Sequence, residues 1–73
     1  MKKMPLMHAP IGQELTVVEC NVEDKLKKHL ETLGILPGEK IISVSSRAGD
    51  LIVGVRDSRL AINMGLASRI FVA

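Results

Sequence analysis

Aromatic residues are nearly absent from this chain of 73 residues. Phe71 is the only one, since there is no Trp and no Tyr. Barrels that bind proline-rich peptides line their grooves with Tyr and Trp, and barrels that bind single-stranded nucleic acid stack the bases on aromatic rings. The composition therefore argues against both kinds of binding, and it predicts a core of Leu, Ile, Val and Met.

Cysteine is just as scarce. Because Cys20 stands alone, the chain can form neither an internal disulfide nor a cysteine cluster for zinc or iron–sulfur binding. A single cysteine usually behaves as a small buried hydrophobic residue. We expect Cys20 to be an ordinary reduced thiol of a cytosolic protein.

The chain also lacks a strong charge excess and a long apolar run. Ten Lys and Arg against eight Asp and Glu give a net charge of +2, and the two signs alternate along the sequence, whereas nucleic-acid-binding domains are usually more basic. Pro5, His8 and Pro10 interrupt the apolar region that a signal peptide needs. No uncharged run approaches the ~20 residues that span a bilayer. We expect a cytoplasmic protein that neither binds nucleic acid nor inserts into the membrane.

What is present indicates one small globular domain over residues 1–73. Hydrophobic residues make up 47% of the chain and charged residues 25%, which is an ordinary globular mixture, and the chain is too short for a second core. Residues 1–10 contain two prolines and three methionines. They predict an extended lead-in segment that is anchored at Leu6.

One amphipathic helix is predicted over residues 22–33. Leu26 and Leu30 lie on one face of it, between Val22 and Leu33, and charged residues fill the other face. Asn21 is the predicted N-cap. At the other end, Gly34 suits a left-handed C-cap and Pro37 prevents the helix from continuing.

Runs of β-branched residues between turn signals predict five strands. A helical turn at residues 64–68 is expected before the last of them. The predicted strands are residues 15–20, 40–46, 51–55, 59–63 and 69–72. Five short strands with one inserted helix indicate a mainly β fold, a small closed or nearly closed antiparallel barrel.

Three side chains are candidates for holding a metal ion. His29 borders the apolar face of the helix, and His8 lies among the N-terminal methionines, a sulfur and imidazole combination that suits a soft ion such as Cu(I). Cys20 is the third. The plainer alternatives are a histidine partly covered by the barrel, an ordinary terminus and a buried thiol, and we favour them over a metal site.

Catalytic side chains are not arranged in any recognisable pattern. Acyl transfer by a cysteine needs a base and a third group that orients the base, and no such set accompanies Cys20. Glu23 and Asp24 are adjacent on the predicted helix, so their side chains point about 100° apart. We therefore expect a protein that is not an enzyme and needs no bound cofactor.

Partner contact is the remaining use for the surface. Leu36 is predicted in an exposed turn, and Phe71 should point away from the core side of the last strand. Arg59 belongs to a set of arginines whose positive charge is diluted by Asp50 and Asp57 in the same turns. We predict Leu36, Arg59 and Phe71 as contact residues.

The segment LGILPG at residues 33–38, followed by two β runs and by the segments at 59–62 and 67–72, resembles the ferrous iron transport protein A (FeoA) family. The resemblance extends to Leu6 and Gly12 and so covers essentially the whole chain. It implies an SH3-like barrel in a small cytosolic protein that assists FeoB, a membrane transporter of ferrous iron with a cytosolic GTP-binding domain. It implies no reaction.

Two functions follow from this resemblance. The first is an interaction module that binds and modulates the transporter on its cytoplasmic side. The second is a metal-responsive regulatory domain that senses iron through His8, His29 or Cys20, because the same fold forms the C-terminal domain of regulators of the diphtheria toxin repressor type. The initial Met and the lack of a preceding helix-turn-helix favour the first. Whether the chain forms a homodimer through a poorly closed sheet edge stays open.

Overall fold

A computed structural model describes residues 2–73 of the chain. Its elements are six strands and three short helices, and the fold is mainly β, as predicted. In chain order they are β1 (Met4–Pro5), a 3₁₀ helix (Leu6–His8), β2 (Glu14–Cys20), α1 (Asp24–Thr32), β3 (Lys40–Arg47), β4 (Asp50–Val55), β5 (Ser58–Asn63), α2 (Met64–Ala67) and β6 (Ile70–Val72).

The strands form one antiparallel sheet in the order β1-β6-β2-β3-β4-β5. β6 lies between β1 and β2, so the two ends of the chain meet in the same part of the sheet. Within residues 2–73, the outermost strands β1 and β5 do not pair with each other. Instead α2 contacts β4, β5 and the 3₁₀ helix. The sheet therefore curls into a barrel that is nearly closed, with helices across the gap.

A single aliphatic core fills the inside of this curved sheet. Leu51, Val53 and Val55 share the inward face of β4, as their alternation predicted, and all three are buried. Ile70 and Val72 are buried on β6, whereas the aromatic residue between them is only half-buried. The predicted core of Leu, Ile and Val is confirmed, whereas Met4 and Met64, which were expected to share it, are only partly buried against it.

The N-terminal segment differs from the predicted extended lead-in. Met4 and Pro5 pair with Val72 and Phe71 of β6, and the 3₁₀ helix places Leu6 in the core with 1% of its surface exposed. Lys3 forms an ion pair with the Glu19 carboxylate. A two-residue strand that contains a proline carries no periodic pattern, and a sixth strand was therefore not predicted.

Helix α1 begins two residues later than predicted, and its N-cap is Glu23, whose side chain makes no capping hydrogen bond. The predicted N-cap, Asn21, is held by the sheet instead. Its backbone N–H donates to the carbonyl oxygen of Arg69 at 2.7 Å. That bond extends the pairing of β2 with β6, so the helix starts only after the chain has left the sheet.

The C-terminus of α1 is closed as predicted. Gly34 has a φ of 96°, and its N–H donates to the Glu31 carbonyl at 3.0 Å while the Ile35 N–H donates to the Leu30 carbonyl at 2.9 Å. These two bonds form a Schellman motif. Leu30 and Ile35, which the motif brings together, are both buried.

One polar side chain faces the core. Ser43 is 1% exposed, and its hydroxyl oxygen has no hydrogen-bond partner among the described residues. A buried polar group without a partner costs about 1–3 kcal/mol. We expect Ser43→Ala to raise the free energy of unfolding by about 1 kcal/mol, because the desolvated hydroxyl is removed and only one heavy atom of packing is lost.

Equilibrium unfolding in urea measures this effect as a higher midpoint with an unchanged m-value. The matched control is Ser45→Ala, since Ser45 lies on the same strand and is exposed. Its midpoint should stay where it is. A lower midpoint for Ser43→Ala would show that the hydroxyl makes a stabilising contact.

Candidate binding groove

The outward face of β3 and β4 carries an apolar floor. Ile42 and Val44 share that face, and Ile42 is in register with Gly54 of β4. The register shifts between Ser43 and Ser45, which makes Val44 the extra residue of a β-bulge. A Cβ atom added to Gly54 would lie 2.9 Å from Cγ2 of Ile42 and 3.8 Å from Cγ2 of Val44. The two side chains therefore cover the glycine, and the floor is flat.

A groove of about 560 Å³ opens over this floor. Its rim is charged on every side, with three acidic and three basic side chains. These are Glu14, Glu39, Lys40, Arg56, Asp57 and Arg59. The rim has no formal net charge, so this part of the surface has no bias towards a polyanion.

Two of the basic side chains on the rim have partners. Nη2 of Arg56 donates to Oε1 of Glu39 at 3.1 Å, and Nζ of Lys40 donates to the Thr16 hydroxyl at 3.0 Å. The Arg56–Glu39 pair is exposed, so it contributes little to stability. Its effect is to fix the shape of one wall of the groove.

Two of the three remaining charges on the rim, those of Glu14 and Arg59, lie at opposite ends of one row of paired residues. Within residues 2–73, Glu14 and Arg59 form no ion pair within 4.0 Å. Glu14 is in register with Ile42, Ile42 with Gly54, and Gly54 with Arg59. The four residues thus form one row across β2, β3, β4 and β5, with an acid at one end and a base at the other.

Of the three predicted contact residues, Arg59 lies in this groove and the other two lie elsewhere. Leu36 is half-buried in the turn after α1. Phe71 is half-buried on β6, and the Lys3 ammonium lies 5.1 Å from the centre of its ring. The roles of Leu36 and Phe71 in partner contact stay predictions.

The floor residues were not predicted. The alternation in β3 places Ile42 and Val44 on one face, but it does not say which face is inward. Ile41 and Ile42 are equally apolar, and a serine at position 43 suggests an outward position. In the structure Ile41 and Ser43 are the buried pair. The signal available in the sequence was an isoleucine and a valine at alternate positions of one predicted strand and a glycine, Gly54, inside the next.

The three candidate metal ligands lie on different elements. His8 is exposed on the 3₁₀ helix and His29 is exposed on α1. The expectation that the barrel partly covers His29 is therefore wrong. Cys20 is buried at the end of β2, and burial raises the pKa of its thiol. No group of three His, Cys, Asp or Glu side chains in residues 2–73 is arranged to hold a metal ion.

The helices in the described part of the chain are short. The longest, α1, has nine residues. None of those in residues 2–73 has both the length and the apolar character needed to cross a membrane.

Comparison with known proteins identifies the family. The model of the FeoA domain family matches residues 4–73, from β1 to the end of the chain. This chain belongs to the FeoA family. A relative from Methanocaldococcus jannaschii, named "Putative Fe(2+) transport protein A", is 31% identical over 68 residues, which cover 93% of this chain and 83% of the relative.

Solved structures of FeoA proteins share the fold. FeoA of Stenotrophomonas maltophilia, crystallised with zinc and described as a procaryotic SH3 domain protein, is 25% identical with a TM-score of 0.83 over 96% of this chain and 89% of that one. The predicted SH3-like barrel is confirmed. A manganese-dependent transcriptional repressor aligns with a TM-score of 0.85 and 18% identity over 97% of this chain and 41% of the repressor. That similarity shows the fold alone.

Proposed function

We propose that this FeoA-family protein is a non-enzymatic accessory of ferrous iron uptake, and that it binds a FeoB-type transporter on the cytoplasmic side through the groove over β3 and β4. The observation that carries the proposal is the apolar floor of Ile42 and Val44 inside a charged rim. The M. jannaschii relative is named for Fe(2+) transport. The description of the S. maltophilia protein proposes a role as a ferrous iron transport activating factor.

Another exposed apolar side chain lies in the turn beside the groove. Ile11 is 56% exposed, and it forms an isolated β-bridge with Ser43, next to the two floor residues in sequence. The Gly12 N–H donates to the Ser43 carbonyl oxygen at 2.8 Å, which holds this turn against β3. Exposed apolar side chains next to a polar rim are typical of protein-binding sites.

The apolar floor and charged rim of the groove are suited to binding. Among the described residues, neither histidine nor cysteine lines it. One carboxylate, that of Glu39, is engaged with Arg56.

The test is a titration of this protein into the purified, detergent-solubilised FeoB-type transporter of the same organism, with and without GTP, followed by calorimetry. We expect saturable binding of the natural protein and at least about a tenfold weaker affinity for Val44→Asp, because burying a carboxylate in an apolar contact costs more than 1.4 kcal/mol. The matched control is Ser46→Asp, on the same strand outside the groove, which should bind like the natural protein.

Two outcomes would contradict the proposal. One is equal affinity of Val44→Asp and the natural protein, with circular dichroism showing that both are folded. The other is no binding in any nucleotide state. In the second case, stoichiometric binding of ferrous iron that is lost in His8→Ala or His29→Ala would instead support the metal-responsive function.

A further inference from the structure

The charges at the ends of the groove define the chemistry of its ligand. Glu14 and Arg59 are separated by three strand spacings, since Ile42 and Gly54 lie between them in the row. Strands in a sheet are about 4.8 Å apart, so the two ends are about 14 Å apart. A ligand that crosses the row therefore meets an acid, an apolar floor and a base in that order.

The neighbouring charges do not cancel this arrangement. Lys40 lies near the Glu14 end and keeps its positive charge, but its ammonium donates to the Thr16 hydroxyl and is not within 4.0 Å of the Glu14 carboxylate. Asp57 lies in the turn before β5, and its carboxylate is not within 4.0 Å of the Arg59 guanidinium. Arg56 is engaged with Glu39 on the side wall. Glu14 and Arg59 thus remain available for opposite charges.

An extended peptide matches these spacings. Such a chain advances about 3.3 Å per residue and presents every second side chain to the same side. Its residues i, i+2 and i+4 therefore span about 13 Å, close to the 14 Å of the row. We propose that the groove binds an extended segment of its partner protein with a basic residue facing Glu14, an aliphatic residue over Ile42 and an acidic residue facing Arg59. This inference rests on the proposed function and specifies the partner segment.

Charge complementarity selects this occupant over the alternatives. A nucleic acid or an anionic membrane surface would meet Glu14, Glu39 and Asp57 together with the three bases, so half of the rim would repel it. A peptide with charges of one sign at both ends would be attracted at one end of the row and repelled at the other. A segment with opposite charges at its two ends is attracted at both ends of the row.

The experiment is an NMR titration of the full chain with three nine-residue peptides that differ only at two positions. Each has a central Ser-Leu-Ser, flanked by Lys and Asp, by two Lys or by two Asp, with Gly-Ser at both ends. We expect the Lys and Asp peptide to bind about fivefold more tightly than the other two, as two exposed charge pairs allow. The amide signals of Ile42, Val44 and Gly54 should shift, and the preference should shrink at high salt.

Charge reversal turns this expectation into a switch of specificity. Glu14→Lys should transfer the preference to the peptide with two Asp, and Arg59→Glu should transfer it to the peptide with two Lys. The matched controls are Glu31→Lys and Arg47→Glu, which make the same changes at exposed positions outside the groove. They should leave the preference unchanged.

Several results would overturn the inference. These are equal binding of all three peptides, the lack of a switch, and no saturable shift with any peptide at millimolar concentration. Shifts at the groove that appear on raising the protein concentration without peptide would assign the groove to a second copy of this chain. If the transporter binds by calorimetry but the peptides show no preference, the proposed function stands and the charge pattern is wrong. If the charge-reversal variants change their peptide preference but the transporter shows no binding by calorimetry, the groove binds another partner.

Discussion

Replacing Leu6 by alanine will lower the free energy of unfolding by about 3 kcal/mol, within the range that buried leucines show. Leu6 lies in the 3₁₀ helix after β1 and is 1% exposed. Its loss leaves a cavity in the core next to β6 and α2, which both contact this helix. In a chain of this size the melting temperature should fall by about 15 °C.

Met7→Ala is the matched control for Leu6→Ala. Met7 is the next residue of the same 3₁₀ helix and is 39% exposed, so its replacement should change stability by no more than about 0.5 kcal/mol. Thermal unfolding of both variants by circular dichroism makes the comparison. If Leu6→Ala were as mild as Met7→Ala, the N-terminal segment would not be part of the core.

The segment around Leu6 also shows which structural features a local sequence pattern can predict. It was predicted to anchor an otherwise extended segment, and its burial follows from its apolar character. The pairing of Met4 and Pro5 with β6 is a contact between the two ends of the chain. Alternation and turn signals act over a few residues, so they identified the five longer strands and not this pair.

The start of α1 has the same explanation. Asn21 is a favourable N-cap by residue type, but its N–H donates to the Arg69 carbonyl, which is far away in sequence. This tertiary contact outweighed the local preference of Asn21 for the N-cap position. At the other end of the helix, the positive φ of Gly34 is a property of the local backbone, and there the prediction was confirmed.

The candidate groove was the least predictable feature, because it depends on the register of four strands. Arg59 could be chosen from the sequence as an exposed cation, but its alignment with Gly54, Ile42 and Glu14 is set by the pairing of β2 to β5. The bulge at Val44 shifts the register between the rest of β3 and β4. Neither the register nor the bulge has a local signature in this sequence.

Gly34→Ala will lower the free energy of unfolding by about 3 kcal/mol through two separate effects. Alanine at a φ of 96° is strained, at a cost of about 1–2 kcal/mol for the left-handed region. The added Cβ would also lie 2.9 Å from Cγ1 of Val55 and 3.2 Å from Nε of Arg56. Val55 is buried in the core, so it cannot move away without further loss of packing, at about 1–3 kcal/mol.

Gly38→Ala separates these effects. Gly38 has nearly the same φ, 95°, but no atom lies within 4 Å of the position of an added Cβ. It should therefore show only the conformational cost, about 1–2 kcal/mol, and the difference between the two variants in urea unfolding measures the clash with Val55 and Arg56. Equal losses would mean that the end of α1 is not packed against the β4–β5 turn.

The same clash should also change the position of the groove wall. Arg56 makes the ion pair with Glu39 that forms one wall, and its side chain passes within 3.3 Å of the Gly34 Cβ position. Gly34→Ala should therefore shift the amide signals of Glu39 and Gly54, whereas Gly38→Ala should leave that of Gly54 in place. Such a result would establish that the C-terminal turn of α1 sets the position of the groove wall as well as the stability of the barrel.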